Sequence, residues 1–576
     1  MNTLVLNEGQ TKAYLTIKKF LADPDRHSLL LLGPAGAGKT TVIVNAFNGT
    51  PHRIAFCAFT NKATQVLSKI SEKFAINFKA DFLTIHKLLC LDIKFLERET
   101  EIGFTFDKNK IANLKEYNII IFDECSTISR ELYRYICEAY EYIEFAFGVK
   151  LKFIFLGDFW QLPPVGEEKS IVFDVAIKDR WLVSKLEKVM RSANETMANI
   201  NQNMLEWIPK FKTGDVDKFV NGYPYNLVSK DLGDYLHLDE FLDQFLATWH
   251  THTADCVILT YSRGNCDKTN QAIQDRIDDE AGREIPKKRD IIKFYPGDRC
   301  CIDRPIDLFS IVRKKCKTPP QVSAKRSQTS NSSSNLSSKS SSKSGETISE
   351  LFARVMQSPE PGMEPGLPIG TVVEIVDDYG GVHVDTLGGL ADAEMAPDGI
   401  ITKQNTQPYI STVALHESLG ITLYNGEIFD ITDAEDVYAI TPLNKLDYID
   451  DAFPAQLLTI SRISNPTDRY QILHIPEPYV EAARELIKSI ERRMFYLNIM
   501  SDFIKKYPKL TYGYCLTIYK SQGSEWHTVF VNLNSIKWSI IGQTNASSIK
   551  KKAALYKSTY TALSRASSKL YCFWSR

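Results

Sequence analysis

At 576 residues the chain exceeds the roughly 250–300 residues at which a single hydrophobic core stops growing, so several domains are expected. Its 44% hydrophobic and 24% charged residues match folded globular proteins and argue against a wholly disordered or fibrous chain. Lys plus Arg (69) against Asp plus Glu (70) leaves a formal charge of −1, which argues against a histone-like or coat-like partner of nucleic acid and confines any such contact to local grooves.

The start, MNTLVLNEGQTKAY, lacks a charged n-region followed by an apolar h-region, and no apolar run reaches the roughly 18 residues of a membrane span. The eleven cysteines are scattered, with Cys300 and Cys301 adjacent and no CxxC pair, which fits reduced thiols better than a disulfide framework or a zinc site. An intracellular location, cytoplasmic or nucleic-acid-associated, is expected, with no membrane partner.

The run SLLLLGPAGAGKTTVIVNAF has the order strand, Gly-rich loop, helix, and Gly33, Gly38, Lys39 and Thr40 match GxxxxGK[ST]. The segment Gly33, Pro34, Ala35, Gly36, Ala37, Gly38 with Lys39, Thr40 and Thr41 is expected to cradle ATP. Backbone N–H groups wrap the phosphates and the helix N-terminus adds its positive dipole end. Lys39 is assigned to the β and γ phosphates and the Thr40 hydroxyl to Mg2+.

Between Arg53 and Gly166, β-rich runs at Arg53–Ala58, Asn118–Phe122 and Lys152–Leu156 alternate with helical stretches, the pattern of a parallel sheet covered by helices. NIIIFDECS places a carboxylate pair at a strand end. Asp123 is expected to hold magnesium and Glu124 to act as the base or orienting group for water. ETEIGFTFD, between Leu88 and Tyr117, reads as a hairpin. Phe104 and Phe106 within it alternate as packing residues of one sheet face do.

Further on, an apolar run at Cys256–Tyr261 precedes a helical pattern through Gln271, and another strand-like run lies at His527–Leu533, so a second α/β unit is split in sequence. FYPGDRCCID, GLPIGTVVEIVDD, GGVHVDTL and YNGEIFDIT read as short strands between Gly-containing turns, the signature of a small β-barrel at about 296–450. The Ser-rich stretch Thr318–Gly345 inside it has almost nothing to bury and reads as a disordered insertion, either a solvated loop or a basic tether.

The most specific segment is KFIFLGDFWQLPPVGE, which resembles the third motif of superfamily 1 helicases. LNEGQ, AFTNKATQVL, TIHKLL, KVMRS, TIYKSQGSEW and YTALSRA fall in that family's order, and the overall pattern is similar to the RecD-like group of superfamily 1B that includes Dda-type phage helicases. The resemblance implies two RecA-like P-loop motor domains, 1A over 1–190 with a small 1B insertion at about 88–117, and 2A over 191–295 plus 505–576. It also implies an accessory 2B domain over 296–504 with an SH3-like barrel.

By the same resemblance, Gly157, Asp158 and Gln161 couple the γ-phosphate to the nucleic-acid groove and Gln161 senses the phosphate. Gln10 reads adenine, Arg191 and Arg565 are arginine fingers, and Gln522 and Gly523 lie near the nucleotide, with Thr517 and Ser521 nearer the nucleic acid. A motor that reads no sequence grips phosphates with backbone and hydroxyl groups. Thr60, Asn61 and Lys62 fit one contact and Thr84 and His86 a second, although His86 equally fits a structural histidine. Tyr519 departs from the family's usual histidine. The activity implied is ATP-dependent unwinding of DNA by 5′ to 3′ movement on single strands. Single-stranded DNA, duplex junctions, and replication, recombination or repair proteins are the implied partners. An RNA helicase of the same superfamily, a protein-displacing translocase and a non-motor binding scaffold are the alternatives.

Overall fold

A computed structural model of the chain describes residues 6–58, 79–95, 102–106, 108–190, 233–235, 237–251, 255–285, 292–303, 306–316, 373–376, 382–385, 410–423, 426–440, 453–463, 465–481, 506–542 and 547–573. The chain divides into two compact units, Met1–Ile285 with Tyr512–Arg576, and Pro286–Thr511.

The first unit holds two parallel sheets. One is built from β1 (Ser28–Leu32), β2 (Ile54–Ala58), β3 (Ala80–Thr84), β6 (Ile119–Phe122), β7 (Lys152–Gly157) and β8 (Leu182–Lys185), in the order β3-β2-β6-β7-β1-β8. Every pairing is parallel, with Leu30 opposite Phe155 and Phe56 opposite Ile121. The strands are nearly continuous apolar runs because both faces are covered. Alternation sends Leu29, Leu31, Ile154 and Leu156 into one core layer and Leu30, Phe153 and Phe155 into the other. Helices α1 (Glu8–Ala22) and α2 (Lys39–Phe47) cover the first layer. Helices α4 (Arg130–Phe147) and α5 (Ile171–Lys178) cover the second, and a short α3 (Ile85–Leu88) follows β3. Helix α4 starts where Ser129 accepts Leu132 N–H (3.1 Å) and ends at Gly148, which turns left-handed at φ 67°. Separately, β4 (Leu91–Phe95) pairs antiparallel with β5 (Ile102–Phe106); the ETEIGFTFD run, read as a hairpin, supplies only β5, and its partner strand precedes it.

The second sheet has the order β20-β10-β21-β22-β9 and is also parallel. It draws β9 (Gly233–Tyr235) and β10 (Cys256–Thr260) from one part of the sequence. The remaining strands, β20 (Cys515–Thr517), β21 (Trp526–Asn532) and β22 (Ala566–Phe573), come from another. Its helices are α6 (Leu238–His250), α7 (Arg263–Glu280), α8 (Ile518–Ser521), α9 (Leu533–Ile541) and α10 (Ser548–Leu563). The edge strand β20 is completed by a side chain. Asn270 Oδ1 accepts Cys515 N–H (2.7 Å) and Asn270 Nδ2 donates to Cys515 O (3.1 Å), imitating a strand ladder from α7. One turn on, Tyr514 OH donates to Gln274 and Gln274 to Asp278, so a buried polar row runs at i, i+4, i+8 along that helix. The first and second sheets together are an α/β P-loop fold of RecA-like type.

The second unit is a β structure. Strands β11 (Arg299–Ile302), β12 (Ile306–Cys316), β13 (Val373–Val376), β14 (Val382–Asp385), β15 (Ile410–Leu423), β16 (Ile428–Ile440) and β19 (Leu510–Tyr512) lie in the order β14-β13-β12-β15-β16-β11-β19. β17 (Phe453–Arg462) and β18 (Asn465–His474) continue from β16 as an antiparallel meander. Pairings among the described residues form an open order. Several strands are longer than the short strands expected, because register shifts at Phe309 and between Ile431 and Asp433 bend them without ending them. The Ser-rich stretch 318–345 lies outside the described residues. Among the described residues, no helix is long and apolar enough to cross a membrane.

Candidate nucleotide site and strand-contact segments

β1 delivers the Gly-rich loop, tied at its root by Gly33 N–H donating to Gly157 O (3.1 Å) and by Leu186 N–H donating to Leu32 O (2.8 Å). Gly36 and Gly38 adopt φ 75° and 82°. A side chain at Gly38 is excluded twice over, by that left-handed backbone and by Gln10 Nε2, 2.5 Å from where a Cβ would sit. Gly38 is also the N-cap of α2 and supplies no side-chain cap. The first-turn N–H groups of Lys39, Thr40 and Thr41 therefore face out of the helix end uncapped, an anion-binding arrangement. Lys39 Nζ lies back along the loop, donating to Gly33 O (2.8 Å) and Pro34 O (3.2 Å).

Gln10 is buried against this loop, donating from Nε2 to Ala37 O (3.2 Å) and accepting Asn7 N–H (3.1 Å). Asn7 in turn accepts Gln10 N–H, so a capping box at the start of α1 fixes the glutamine.

β6 ends in the carboxylate pair. Asp123 N–H donates to Cys57 O (2.7 Å), and Asp123 Oδ1 accepts Glu124 N–H (2.9 Å). Glu124 sits at φ 51°, ψ 44°, a strained conformation for a residue with a Cβ. The strain is held by Thr127, whose N–H and hydroxyl both donate to Glu124 O. Glu124 Oε2 is buried and has no hydrogen-bond partner. Gly157 ends the neighbouring β7, and a Cβ there would overlap Cys125 Sγ. This glycine allows the two strand ends to approach.

The next residues form the GDxxQLPP turn. Asp158 is 1% exposed; its Oδ2 accepts Ala35 N–H (3.0 Å) and its Oδ1 accepts Trp160 N–H (3.0 Å). Burial raises its carboxyl above the usual range; Lys39 pulls it back and Glu124 pushes it further, which puts all three within electrostatic reach. Gln161 is equally buried and its Oε1 is unpartnered.

The second sheet contributes α10. Tyr560 OH donates to Asp158 Oδ2 (2.7 Å) and accepts Ala35 N–H (3.0 Å). Thr561 Oγ1 accepts Leu162 N–H (3.0 Å), and Gln522 Nε2 donates to Leu162 O (3.0 Å). Burial lowers the Lys557 amine, which donates to Glu168 O (3.3 Å) and sits 5.2 Å over the Phe159 ring. Arg565, by contrast, uses its guanidinium on Thr561 O and Ser564 Oγ beside it and on Ser524 O just beyond α8. Its charge still lowers the Tyr560 phenol, which burial otherwise raises well above its ordinary value. Tyr560 and Thr561 stand in the quoted YTALSRA run yet were not picked out by sequence. Arg191 lies outside the described residues; Met190, just before it, donates its N–H to Gly36 O (2.9 Å).

Of the residues expected to contact a single strand, Thr60, Asn61 and Lys62 lie outside the described residues. Thr84 ends β3 opposite Ala58, and its hydroxyl caps α3 by accepting Lys87 N–H (3.1 Å). Thr517 does the same at the end of β20, accepting Lys520 N–H (3.4 Å) to cap α8. TIHK and TIYK thus build one local structure, an edge strand, a threonine cap and a single helical turn, once in each parallel sheet. His86 and Tyr519 occupy equivalent places. Burial lowers the first and pushes the second up to about 12, with Tyr261 adding to it. Ser521 is buried and donates to Ile518 O (2.7 Å), so its hydroxyl faces inward. Gly523 turns at φ 71°.

A family model described as "AAA domain" matches residues 5–208. An uncharacterized protein of Acanthamoeba polyphaga mimivirus is 23% identical over 97% of this chain and 98% of its own length. The ATP-dependent DNA helicase dda of Enterobacteria phage T4 is 24% identical over 51% of this chain and 63% of its own. Among solved structures, Pif1 helicase from Bacteroides in complex with ADP-AlF3 and ssDNA is 13% identical, covering 99% of this chain and 92% of that one at a TM-score of 0.39. Pif1 helicase from Candida albicans is 13% identical, covering 99% and 94% at a TM-score of 0.40. With its motifs in order from LNEGQ to YTALSRA, the matching AAA domain and the phage relative, the chain is similar to superfamily 1B helicases of the Dda type.

Proposed function

We propose that the chain is a DNA motor that hydrolyses ATP to move 5′ to 3′ along single-stranded DNA and separate duplexes. The observation that carries this reading is the pair of buried, unpartnered acceptors, Glu124 Oε2 and Gln161 Oε1, set around Lys39, Asp158 and an uncapped helix start. A buried polar atom without a partner costs about 1–3 kcal/mol. Two such atoms beside a phosphate loop fit a site whose partners arrive with the substrate.

ATP with Mg2+ fits the residues present. The loop Gly33–Gly38 and the first turn of α2 offer N–H groups to phosphates, Lys39 exchanges its loop carbonyls for phosphate oxygens, and Thr40 and Asp123 hold magnesium, which supplies charge neutralisation at the transferring group. Glu124 orients and deprotonates the attacking water and Gln161 reports the γ-phosphate. Gln10 borders the base end of the loop, and Gln522 and Gly523 lie near the nucleotide. Arg191 and Arg565 act as fingers. Arg565 must first release Ser524 O and Thr561 O, which makes its engagement a conformational step.

Thr60, Asn61, Lys62, Thr84, His86, Thr517 and Ser521 form the single-strand track. The duplicated TIHK and TIYK turns supply one grip on each sheet, and the hydroxyls of Thr84 and Thr517, which accept the cap N–H groups, keep their O–H to donate to a strand phosphate. We read residues 1–190 as domain 1A, 191–295 with 505–576 as 2A and 296–504 as 2B with an SH3-like barrel. The hairpin β4–β5 belongs to a 1B insertion. Replication or recombination proteins are the expected partners.

The test is unwinding of duplexes bearing a 5′ or a 3′ single-stranded tail, with Lys39→Ala as control. Opening of the 5′-tailed duplex alone, lost in Lys39→Ala, is the expected result. A 3′ preference refutes the direction. Intact DNA-stimulated hydrolysis without opening replaces unwinding by protein-displacing translocation, and equal stimulation by RNA strands redirects the substrate.

A further inference from the structure

Resting on the motor reading above, we propose that Tyr560 is a positioning residue that links the phosphate loop to the strand-contacting turn of the second sheet, so that occupancy of one site changes affinity at the other. Three segments distant in sequence meet at its hydroxyl. Tyr560 OH, Asp158 Oδ2 and Ala35 N form a closed triangle with sides of 2.7, 3.0 and 3.0 Å, and the phenol is fully buried.

The triangle sits within a continuous chain of contacts. Lys557, Tyr560 and Thr561, at i, i+3 and i+4, lie on one face of α10. They hold Glu168 O, Asp158 and Leu162 N respectively, so a single helix face grips the turn after β7 at three points. The same helix leads into Arg565, which donates to Ser524 O, and Gln522 returns a bond to Leu162 O. Ser524 and Gln522 follow directly on α8, whose cap is Thr517. A displacement of Ala35 or Asp158 is therefore delivered through one rigid helix to the TIYK turn. Of the three α10 side chains that grip the turn, Tyr560 is the one that bonds the phosphate loop as well, and Arg565 lies close enough to bias the phenol. Contiguity alone does not establish coupling, so the test measures coupling directly.

Affinity for a dye-labelled oligothymidylate is measured by anisotropy in the presence and absence of magnesium and the non-hydrolysable analogue AMP-PNP. Wild type is expected to show a ratio of affinities within the roughly 5–150-fold range of ordinary allosteric coupling. Tyr560→Phe, which keeps the ring and its packing, is expected to bring that ratio to within about twofold of one while leaving the affinity for each ligand alone within about threefold. A purely structural role would weaken both ligands and preserve the ratio, which overturns the proposal; so does an unchanged ratio with unchanged affinities. Should Tyr560→Phe fail to fold, Thr561→Val removes the neighbouring contact to Leu162 N and is judged by the same ratio. Absence of strand-stimulated hydrolysis in wild type sinks the motor reading, a wild-type ratio of one sinks both, and a stimulated wild type beside a fully coupled variant sinks this inference alone.

Discussion

Substitution of Gly157 by Ala probes how closely the catalytic strand ends must approach. Its Cβ would fall on Cys125 Sγ, with Ser126 N at 3.6 Å and Phe173 Cε1 at 3.7 Å closing the other sides. Ordinary carbon contacts lie at roughly 3.5–4.0 Å, so the methyl has no empty direction, and Cys125 is itself fully buried. Overpacking of this kind costs about 1–3 kcal/mol, roughly 2–6 °C in melting temperature for a large unit. The damage is directional as well. Cys125 follows the strained Glu124, and Gly157 precedes Asp158, so relief of the clash displaces both carboxylates. Strand-stimulated kcat should therefore fall by more than the affinity for nucleotide. Cys125→Ala removes the obstructing sulfur at a cost of about 1 kcal/mol on its own, and the double variant should be at least about 1 kcal/mol more stable than the sum of the singles. Thermal melting of the four proteins, with hydrolysis measured alongside, is the assay. Strict additivity would show that the two strand ends yield without meeting the sulfur and would refute the reasoning.

Gln10→Ala removes the bond to Ala37 O and half of the capping box, and is expected to weaken AMP-PNP binding roughly 3- to 10-fold with a loss of about 1 kcal/mol in stability; calorimetric affinity equal to wild type would contradict it. Asn270→Ala leaves Cys515 N–H without its partner at the edge of the second sheet and its O with the Cys266 thiol alone (3.0 Å), so about 1–3 kcal/mol should be lost. Faster hydrogen exchange at Cys515 and weaker single-strand binding through the Thr517 turn should accompany it, and unaltered exchange would count against the ladder role. His474 is buried against Phe294 in the β unit, and burial lowers its pKa from 6.5 to about 4. Because the folded pKa lies below the unfolded one, its contribution to stability is whole above pH 6.5 and is lost as pH falls toward 4, roughly 3 kcal/mol in all. Denaturation between pH 7 and 4 should show this loss in wild type and a flatter profile in His474→Leu; parallel profiles would rule it out.

Much of the first sheet is legible in the sequence because its signals are local. SLLLLGPAGAGKTT encodes strand, left-handed glycines and uncapped helix in consecutive residues, and the apolar runs at 53–58, 118–122 and 152–156 coincide with β2, β6 and β7 to within one residue at either end. The β unit is harder to read. Its longest strands run through bulges, and a bulge leaves no more mark on the hydrophobic pattern than a turn does. Contacts between distant segments leave no pattern at all. Asp158 and Tyr560 are 402 positions apart and Asn270 and Cys515 are 245 apart. Each residue alone reads as an ordinary polar side chain, and only the fold makes one complete a carboxylate and the other an edge strand.

The site residues separate along a different line, the state of their polar atoms. Hydroxyls and amides suggested by motif position alone are often already engaged: Thr84 and Thr517 cap helices, Ser521 bonds Ile518 O, and Gln522 bonds Leu162 O. Lys39 and Arg565 are likewise engaged, but mainly with backbone carbonyls, bonds that a phosphate can replace without leaving a buried charge unpaired. Glu124 Oε2 and Gln161 Oε1 have nothing to exchange. A fold that satisfies Asn270, Gln274 and Asp278 in one buried row has the means to satisfy these two. Their orphaned state, one of them on a left-handed backbone that adds further cost, is therefore best explained as a preorganised demand for groups that come and go with each turnover. On the proposed reading, the engaged cations describe the resting end of that cycle and the orphaned acceptors its loaded end, so that Arg565 has to move between the two while Glu124 and Gln161 do not.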